Sequence, residues 1–205
     1  MKKSCLILIL SICYLTSFSQ QSDSFKDPRD GKTYKTVKIG IQWWFAENLA
    51  YKPVSGKYWA YDNDQSNISK YGYLYDWETA KTVCPAGWHL PSDSELTQMT
   101  DSVGGESTAS TGESIASRKL KAKNDWKYDP YGSATNESGF NALPAGRWNG
   151  NDNYFYNLGA YAYFWSSSPD ESWSAWVRCL SYGPDRVDRK TGYRTAGFSI
   201  RCVKD

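Results

Sequence analysis

The residue types that most often carry enzyme chemistry are sparse in this sequence. Its one histidine, His89, lies in the short segment between Pro85 and Pro91. A His-rich zinc site needs several imidazoles, and a Ser-His-Asp triad needs a serine and an acid around one ring. We therefore expect His89 to stack on Trp88 or to contact the N-terminus of a helix that begins after Ser92. The sequence indicates no metal site and no cofactor, and it predicts that the chain is not an enzyme.

Acidic residues offer one candidate for ion binding. The segment Asp62–Asn67 resembles half of a calcium loop, but it lacks the central glycine and the closing bidentate glutamate of an EF-hand. A solvated turn is the favoured interpretation, and calcium binding near Asp62 and Asp64 stays open. No pattern brings two other acidic residues together, so the paired carboxylates of a glycosidase are not predicted.

Aromatic residues supply the remaining candidate, which is a ligand-binding surface. The segment 147–157 alternates rings with amides among Gly and Asn residues. Aromatic rings stack on the apolar faces of sugars, and Asn and Asp side chains bond to the hydroxyls. In the alternative interpretation these rings belong to the core of a domain that is short of aliphatic residues. The candidate ligand-binding residues are Trp148, Asn149, Asn151, Asp152, Tyr154, Tyr156 and Trp173.

Residues 1–19 have the pattern of a cleavable signal peptide. Two lysines precede an apolar stretch that is too short to span a bilayer, which takes about 20 apolar residues, and small serines precede Gln20. The alternative is a lipoprotein signal in which Cys13 carries the lipid, although Ile12 is bulky where such a signal has a small residue. We predict export to the periplasm, the outer surface or the medium, with lipid anchoring at Cys13 as the alternative.

Cleavage of this signal changes the charge balance of the chain. It removes two of the 24 basic residues and none of the 22 acidic ones, so the mature chain has equal numbers of both. Nucleic acid is not an expected partner, because binding to the phosphate backbone needs a basic excess. No second apolar segment follows, so no transmembrane segment is predicted in the mature chain. Residues 20–25 read as a polar leader and residues 26–205 as one domain.

Two strands and two short helices are predicted in the N-terminal half. Alternating residues predict a strand over Thr33–Ile39 and a second over Gln42–Phe45, in which the rings of adjacent tryptophans must point to opposite faces. Residues 51–75 read as a long ordered loop or hairpin. Helical spacing over Trp77–Val83 predicts one or two turns that end before Pro85.

The clearest local signal is a capping box formed by Ser92 and Glu95. Leu96 and Met99 continue the apolar face of that helix, and two glycines after Val103 end it. Residues 106–117 read as a small-polar connector.

Short strands separated by turns are predicted for the C-terminal half. The last one, Gly197–Val203, alternates most clearly, with Phe198 on one face and Arg201 on the other. These elements indicate an α+β domain with two short helices in the N-terminal half, a mainly antiparallel twisted sheet and long irregular loops. The predicted strands are Trp126–Tyr128, Gly139–Phe140, Tyr161–Trp165, Ala175–Leu180 and Gly197–Val203.

Several motifs taken together resemble the Fibrobacter succinogenes major paralogous domain. That family occurs in exported proteins of Bacteroidetes and Fibrobacteres and has no established activity, so the resemblance implies an exported location and no reaction. The stretches that carry it are residues 30–34 with 39–49 (DGKTY, IGIQWWFAENL), 71–77 (YGYLYDW), 84–92 (CPAGWHLPS), 138–146 (SGFNALPAG), and 164–168 with 200–203 (FWSSS, IRCV).

A more distant resemblance is to the C-type lectin-like fold. It implies that fold, but not calcium-dependent sugar binding, because the Glu-Pro-Asn or Gln-Pro-Asp tripeptide and the Trp-Asn-Asp triplet are absent. The positions that carry it are Trp77, Ala80, Cys84, Gly87, Leu90, Glu95, Trp165 and Cys202.

The same resemblance implies a disulfide between Cys84 and Cys202. Three cysteines survive cleavage, and disulfides persist outside the cytoplasm. Cys179 with Cys202 is the rival pairing; otherwise Cys179 is a small buried apolar residue.

Together these observations predict an exported, noncatalytic surface or secreted module. Its expected partners are glycans or envelope proteins, bound through the aromatic and Asn-rich residues. The alternative is a structural component of an envelope-associated assembly.

Overall fold

The computed structural model describes residues 20–106, 114–127, 134–183 and 186–205. The predicted signal peptide and Cys13 lie outside them. The described residues form two five-stranded sheets, a two-stranded sheet and four short α-helices. The strands of the first sheet, in spatial order, are β1 (Ser22–Lys26), β2 (Thr33–Ile39), β3 (Gln42–Phe45), β12 (Val203–Lys204) and β6 (Trp88–His89).

The second sheet holds the candidate ligand-binding residues. Its strands are antiparallel, except that β7 and β9 pair in parallel at a single point, Gly146 opposite Ala162. A small third sheet pairs β4 (Tyr58–Trp59) with β5 (Leu74–Tyr75) within the predicted long loop. The strands of the second sheet, in spatial order, are β11 (Val187–Tyr193), β10 (Ser174–Ser181), β9 (Tyr161–Pro169), β7 (Ala145–Asn149) and β8 (Tyr154–Leu158).

The first sheet confirms the two strands predicted from alternation. Trp44 is fully buried and lies in an edge-on contact with Phe140, whereas Trp43 is half-buried and packs against the other core cluster. The two rings therefore point to opposite faces, as adjacent residues of a strand must. The predicted polar leader is itself part of this sheet, because its residues pair with β2 as strand β1.

Four helices are present where two were predicted. The capping box is confirmed in α3 (Asp93–Ser102): the Ser92 hydroxyl accepts from the Glu95 amide, and the Glu95 carboxylate accepts from the Ser92 amide. The second predicted helix is α2 (Trp77–Ala80). The two additional helices are α1 (Ile68–Tyr71) and α4 (Ile115–Leu120).

Helix α4 overlaps the stretch that was predicted to be a polar connector. This stretch contains a helix N-cap and a buried helix face. The Ser114 side chain accepts from the Ser117 amide, and Ala116 and Leu120 are fully buried. Six residues are too few for the helical period to emerge from the surrounding polar sequence.

The C-terminal strand Gly197–Val203 was predicted as the clearest one, and that prediction is wrong. Only Val203–Lys204 is a strand, and the residues before it pair with a different partner at each step. Phe198 bridges to Tyr75, and Ser199 bridges to Phe164. Because this segment runs between the sheets, both of its faces are covered, and Arg201 has no exposed surface. Residues on both faces of the alternating pattern are buried.

Two other predicted strands are not formed by the described residues. Gly139 has a positive φ of 69°, so Gly139–Phe140 lies in a turn. The Phe140 ring of this turn is buried in the core. Trp126 and Lys127 are irregular, and Tyr128 lies outside the described residues.

A disulfide joins Cys84 to Cys202. It ties the segment after α2 to the segment before β12, 118 residues away, and it confirms the pairing implied by the lectin-like resemblance. Closing a loop of this length stabilises the fold by about 4–5 kcal/mol in the chain-entropy treatment. Cys179 is a buried free thiol on β10. A disulfide is compatible with an exported protein, and no helix within the described ranges is long and apolar enough to cross a membrane.

Candidate functional site

The segment that alternates rings and amides forms the β7–β8 hairpin. Arg147 lies opposite Tyr156, and Asn149 lies opposite Tyr154, so these four side chains share one face of the hairpin. Tyr154 is two-thirds exposed, and the Arg147 guanidinium lies 5.5 Å from the centre of the Tyr156 ring. This face carries two exposed tyrosine rings and one half-buried cation.

Trp148 lies on the opposite face of the hairpin. Its ring stacks on Trp59 with the centroids 3.8 Å apart and the planes 16° from parallel. Gly197 permits this stack, because a Cβ atom there would lie 2.9 Å from the Trp59 ring and 3.1 Å from the Cβ of Trp148. Trp148 is half-buried and does not share a surface with Tyr154 and Tyr156.

The polar candidates at the tip of the hairpin bond to one another. Asp152 accepts hydrogen bonds from the Tyr156 hydroxyl at 2.6 Å, the Asn149 amide group at 3.0 Å and the Tyr154 backbone amide at 3.1 Å. These bonds, that from Tyr156 foremost, hold the pKa of Asp152 below its usual value. The Asn151 amide in turn donates to the Asn149 side chain. Asn149 and Asp152 therefore hold the turn and orient Tyr156.

Trp173 lies outside the hairpin, in the turn between β9 and β10. It is 56% exposed, and its ring packs against Tyr193 with the centroids 5.5 Å apart. The backbone of Trp173 accepts from the Arg194 amide, which secures the turn to the end of β11.

Trp173 and Arg147 meet at a cavity of about 410 Å³ on the second sheet. Cross-strand pairs explain its composition: Tyr163 lies opposite Cys179, and Lys190 lies opposite Val177, so their side chains share the face that carries Arg147. Gly192 leaves room for the Phe198 ring, which a Cβ atom would approach to 2.4 Å. We call the cavity the aromatic cleft and define it by Arg147, Tyr163, Trp173, Lys190, Tyr193 and Phe198.

The two cations of the aromatic cleft differ in their partners. Lys190 forms an ion pair with Asp188 at 2.9 Å. The Nε of Arg147 is buried and has no hydrogen-bond partner among the described residues. The fold leaves this donor unsatisfied, as it also leaves the buried Nε of Arg178.

The Tyr163 hydroxyl in the cleft and the neighbouring Cys179 thiol stay protonated at neutral pH. Burial raises the pKa of the Tyr163 hydroxyl to about 12 and that of the neighbouring Cys179 thiol to about 12. Asn157 donates to the Tyr163 hydroxyl at 2.9 Å, which fixes the ring in place. Because the nucleophilic form of a cysteine is the thiolate, Cys179 is unreactive at neutral pH.

His89 lies away from this face. Its Nε2 is 2.9 Å from the Glu95 carboxylate, and its Nδ1 is 2.6 Å from that of Asp205. Burial disfavours the charged ring, but the hydrogen bonds to Asp205 and Glu95 outweigh burial and raise the pKa of His89. The imidazole links the N-terminus of α3, through Glu95, to the end of the chain.

The calcium-like segment Asp62–Asn67 folds into two 3₁₀ turns. The Asp64 carboxylate accepts from the Ser66 amide, as in a solvated turn. Across the part of the chain that the structure describes, no three His, Cys, Asp or Glu side chains are grouped so that they could hold a metal ion.

Sequence reasoning missed Tyr163, Lys190 and Tyr193. Tyr161 and Tyr163 carried a usable signal, since two tyrosines at alternate positions of a strand share a face, and their rings do stack. No sequence pattern indicated Lys190 and Tyr193, because these residues reach the cleft only when β11 pairs with β10.

The family model of the Fibrobacter succinogenes major domain matches residues 37–204 of this chain. All residues of the aromatic cleft lie within the matched range. No curated protein and no solved structure matches the chain, so the lectin-like fold stays a prediction.

Proposed function

This chain belongs to the Fibrobacter succinogenes major domain family, and we propose that it is an exported, noncatalytic module that binds glycans through its aromatic cleft. The signal pattern of residues 1–19 and the disulfide between Cys84 and Cys202 support the exported location. That same disulfide supports a lectin-like arrangement of the fold, and comparison of an experimental structure with lectin-like domains tests it.

The observation that carries the proposal is the grouping of rings and cations on one open face of the second sheet. Trp173 and Tyr193 are more than half exposed and lie against each other at the rim of the cleft. A large apolar ring exposed beside a cavity is the arrangement on which the apolar face of a sugar stacks. Tyr154 and Tyr156 extend the same face beyond Arg147, which suits a chain of several sugars.

The composition of the cleft supports binding without catalysis. The described residues that line it include no histidine and no carboxylate, and its only hydroxyls belong to Tyr163, Tyr193 and Thr191. General acid–base catalysis at a glycosidic bond typically uses two carboxylates that flank the bond.

A glycan array probed with the mature protein tests the proposal. We expect binding that falls at least about tenfold in Trp173→Ala and in Tyr193→Ala, because each removes a stacking surface. Tyr193→Phe keeps the ring and is expected to bind nearly as the native chain does. Ile41→Ala removes an exposed apolar side chain from the turn between β2 and β3 and is the control for non-specific adsorption.

Two outcomes contradict the proposal. Binding that persists in both ring variants places the site elsewhere. An absence of binding to any glycan, combined with envelope proteins captured in pull-downs, favours the structural component of an envelope assembly instead.

A further inference from the structure

We infer that the aromatic cleft takes an acidic glycan and that Arg147 binds the carboxylate of its uronic acid. This inference rests on the proposed function, since it specifies which glycans the cleft selects. It follows from how Arg147 differs from other arginines of the chain and from the charges around it.

Two fully buried arginines of the chain are held by ion pairs or hydrogen bonds, although the Nε of Arg178, like that of Arg147, lacks a hydrogen-bond partner. Arg178 donates to the Asp93 carboxylate at 2.6 Å, and Arg201 donates to a side-chain oxygen and three backbone carbonyl groups. Arg147 forms no ion pair with any described residue, and its buried Nε lacks a partner. A guanidinium in this state retains its capacity for charge-assisted hydrogen bonds.

The position of Arg147 suits a carboxylate attached to a sugar. The guanidinium lies near the Tyr156 ring, and Asp152 holds the hydroxyl of that ring, so the side chain has a fixed support. A planar guanidinium can donate two parallel hydrogen bonds to one carboxylate. Trp173 and Tyr193 line the same cavity, so a sugar ring can stack there while its carboxylate reaches Arg147.

Arg147 has no ion-pair partner among the described residues. Lys190 is paired with Asp188, and the Asp152 carboxylate bonds to three neutral donors of the hairpin and not to Arg147. The described lining contains two cations and no acidic side chain. The cavity of about 410 Å³ lies in the range of small-ligand sites.

The most direct test compares the binding of one polymer in a charged form and in an uncharged form. Polygalacturonate and its fully methyl-esterified form share a backbone and differ only in the carboxylate. Isothermal titration of the mature protein should show the ester binding at least about tenfold more weakly than the acid, as expected for the loss of a charge-assisted contact. Arg147→Met should reduce acid binding to the level of the ester and leave ester binding unchanged.

Two further variants separate charge from geometry. Arg147→Lys keeps the charge but not the planar fork, and its affinity for the acid should lie between those of the native chain and Arg147→Met. Lys52→Met removes the same charge from an exposed site that does not line the cleft and should change nothing. Circular-dichroism melting confirms that each variant is folded.

The outcomes distinguish this inference from the proposed function. Equal binding of acid and ester, both lost in Trp173→Ala, overturns the inference and leaves glycan binding standing. Tighter binding of a sulfated galactan than of polygalacturonate overturns the assignment to a carboxylate. If none of these polymers binds while the glycan array shows a neutral glycan bound through Trp173, the inference fails alone. If the array also shows no binding, the proposed function fails with it.

Discussion

The Nε of Arg201 donates to the Oδ1 of Asn48 at 2.7 Å, although 153 positions separate the two residues in the sequence. The same guanidinium donates to the carbonyl groups of Phe45, Phe140 and Asn141 and lies over the Phe140 ring. Residues of three sequence motifs, 39–49, 138–146 and 200–203, therefore meet at this site. The fully buried Arg201 cation bonds there to neutral oxygens. This explains why a charged residue occupies the middle of the C-terminal core segment.

Replacement of Arg201 by methionine should strongly destabilise the fold. Arg201→Met leaves several buried oxygens without a donor, and we expect the free energy of unfolding to fall by about 3 kcal/mol or more. Urea unfolding measures it. Lys119→Met breaks an exposed ion pair with Glu137 and should cost less than about 1 kcal/mol; an equal loss in both variants would contradict the assigned role.

The disulfide should account for a large share of the stability. Cys84→Ser or Cys202→Ser is expected to lower the free energy of unfolding by about 4–5 kcal/mol, because the unfolded chain regains the freedom of a long loop. Denaturant titration of native and variant chains measures the difference. Cys179→Ser removes the third cysteine without touching the bond, and peptide mapping without reduction should still yield the Cys84–Cys202 peptide.

Iodoacetamide should not label Cys179 in the folded protein. The thiol is buried and its pKa is raised to about 12 by that burial, so almost no thiolate exists at neutral pH. Mass spectrometry should find one alkylated cysteine after unfolding in denaturant without reductant and none before. Rapid labelling of the native chain would place the thiol at the surface.

The stability of the chain should depend on the protonation of His89. The pKa of His89 is raised on folding, so its contribution is fully present below the ordinary histidine pKa of about 6.5 and is lost as the pH rises through the folded pKa. Melting temperatures of the native chain and His89→Asn should differ most near pH 5.5 and converge in mildly alkaline buffer. A difference in melting temperature that grows with pH would contradict this role of the protonated His89.

Trp148 should contribute to folding and not to ligand binding. Trp148→Ala removes the stack on Trp59, and we expect a loss of about 2 kcal/mol in the free energy of unfolding, since the ring is half-buried. Its glycan affinity should match that of the native chain, whereas Trp173→Ala should keep its stability and lose binding. If Trp148→Ala instead kept its stability and lost glycan binding, Trp148 would belong to the ligand-binding surface.

Local sequence determined the features that a few adjacent residues can specify. The capping box of Ser92 and Glu95 depends on hydrogen bonds within one helical turn, and β2 and β3 follow from alternation along a single strand. The disulfide between Cys84 and Cys202 came from resemblance and not from local pattern.

Tertiary structure alone decided the face to which each candidate side chain points and the partners it meets. Trp148 and Tyr156 are close in sequence, yet the pairing of β7 with β8 and the packing of Trp59 put them on opposite faces. Arg147 and Lys190 line one cavity because β7 pairs with β9, which joins the β7–β8 hairpin to the strands β9, β10 and β11. Such pairing is a cooperative outcome of long-range hydrogen bonds and burial, which no window of neighbouring residues encodes.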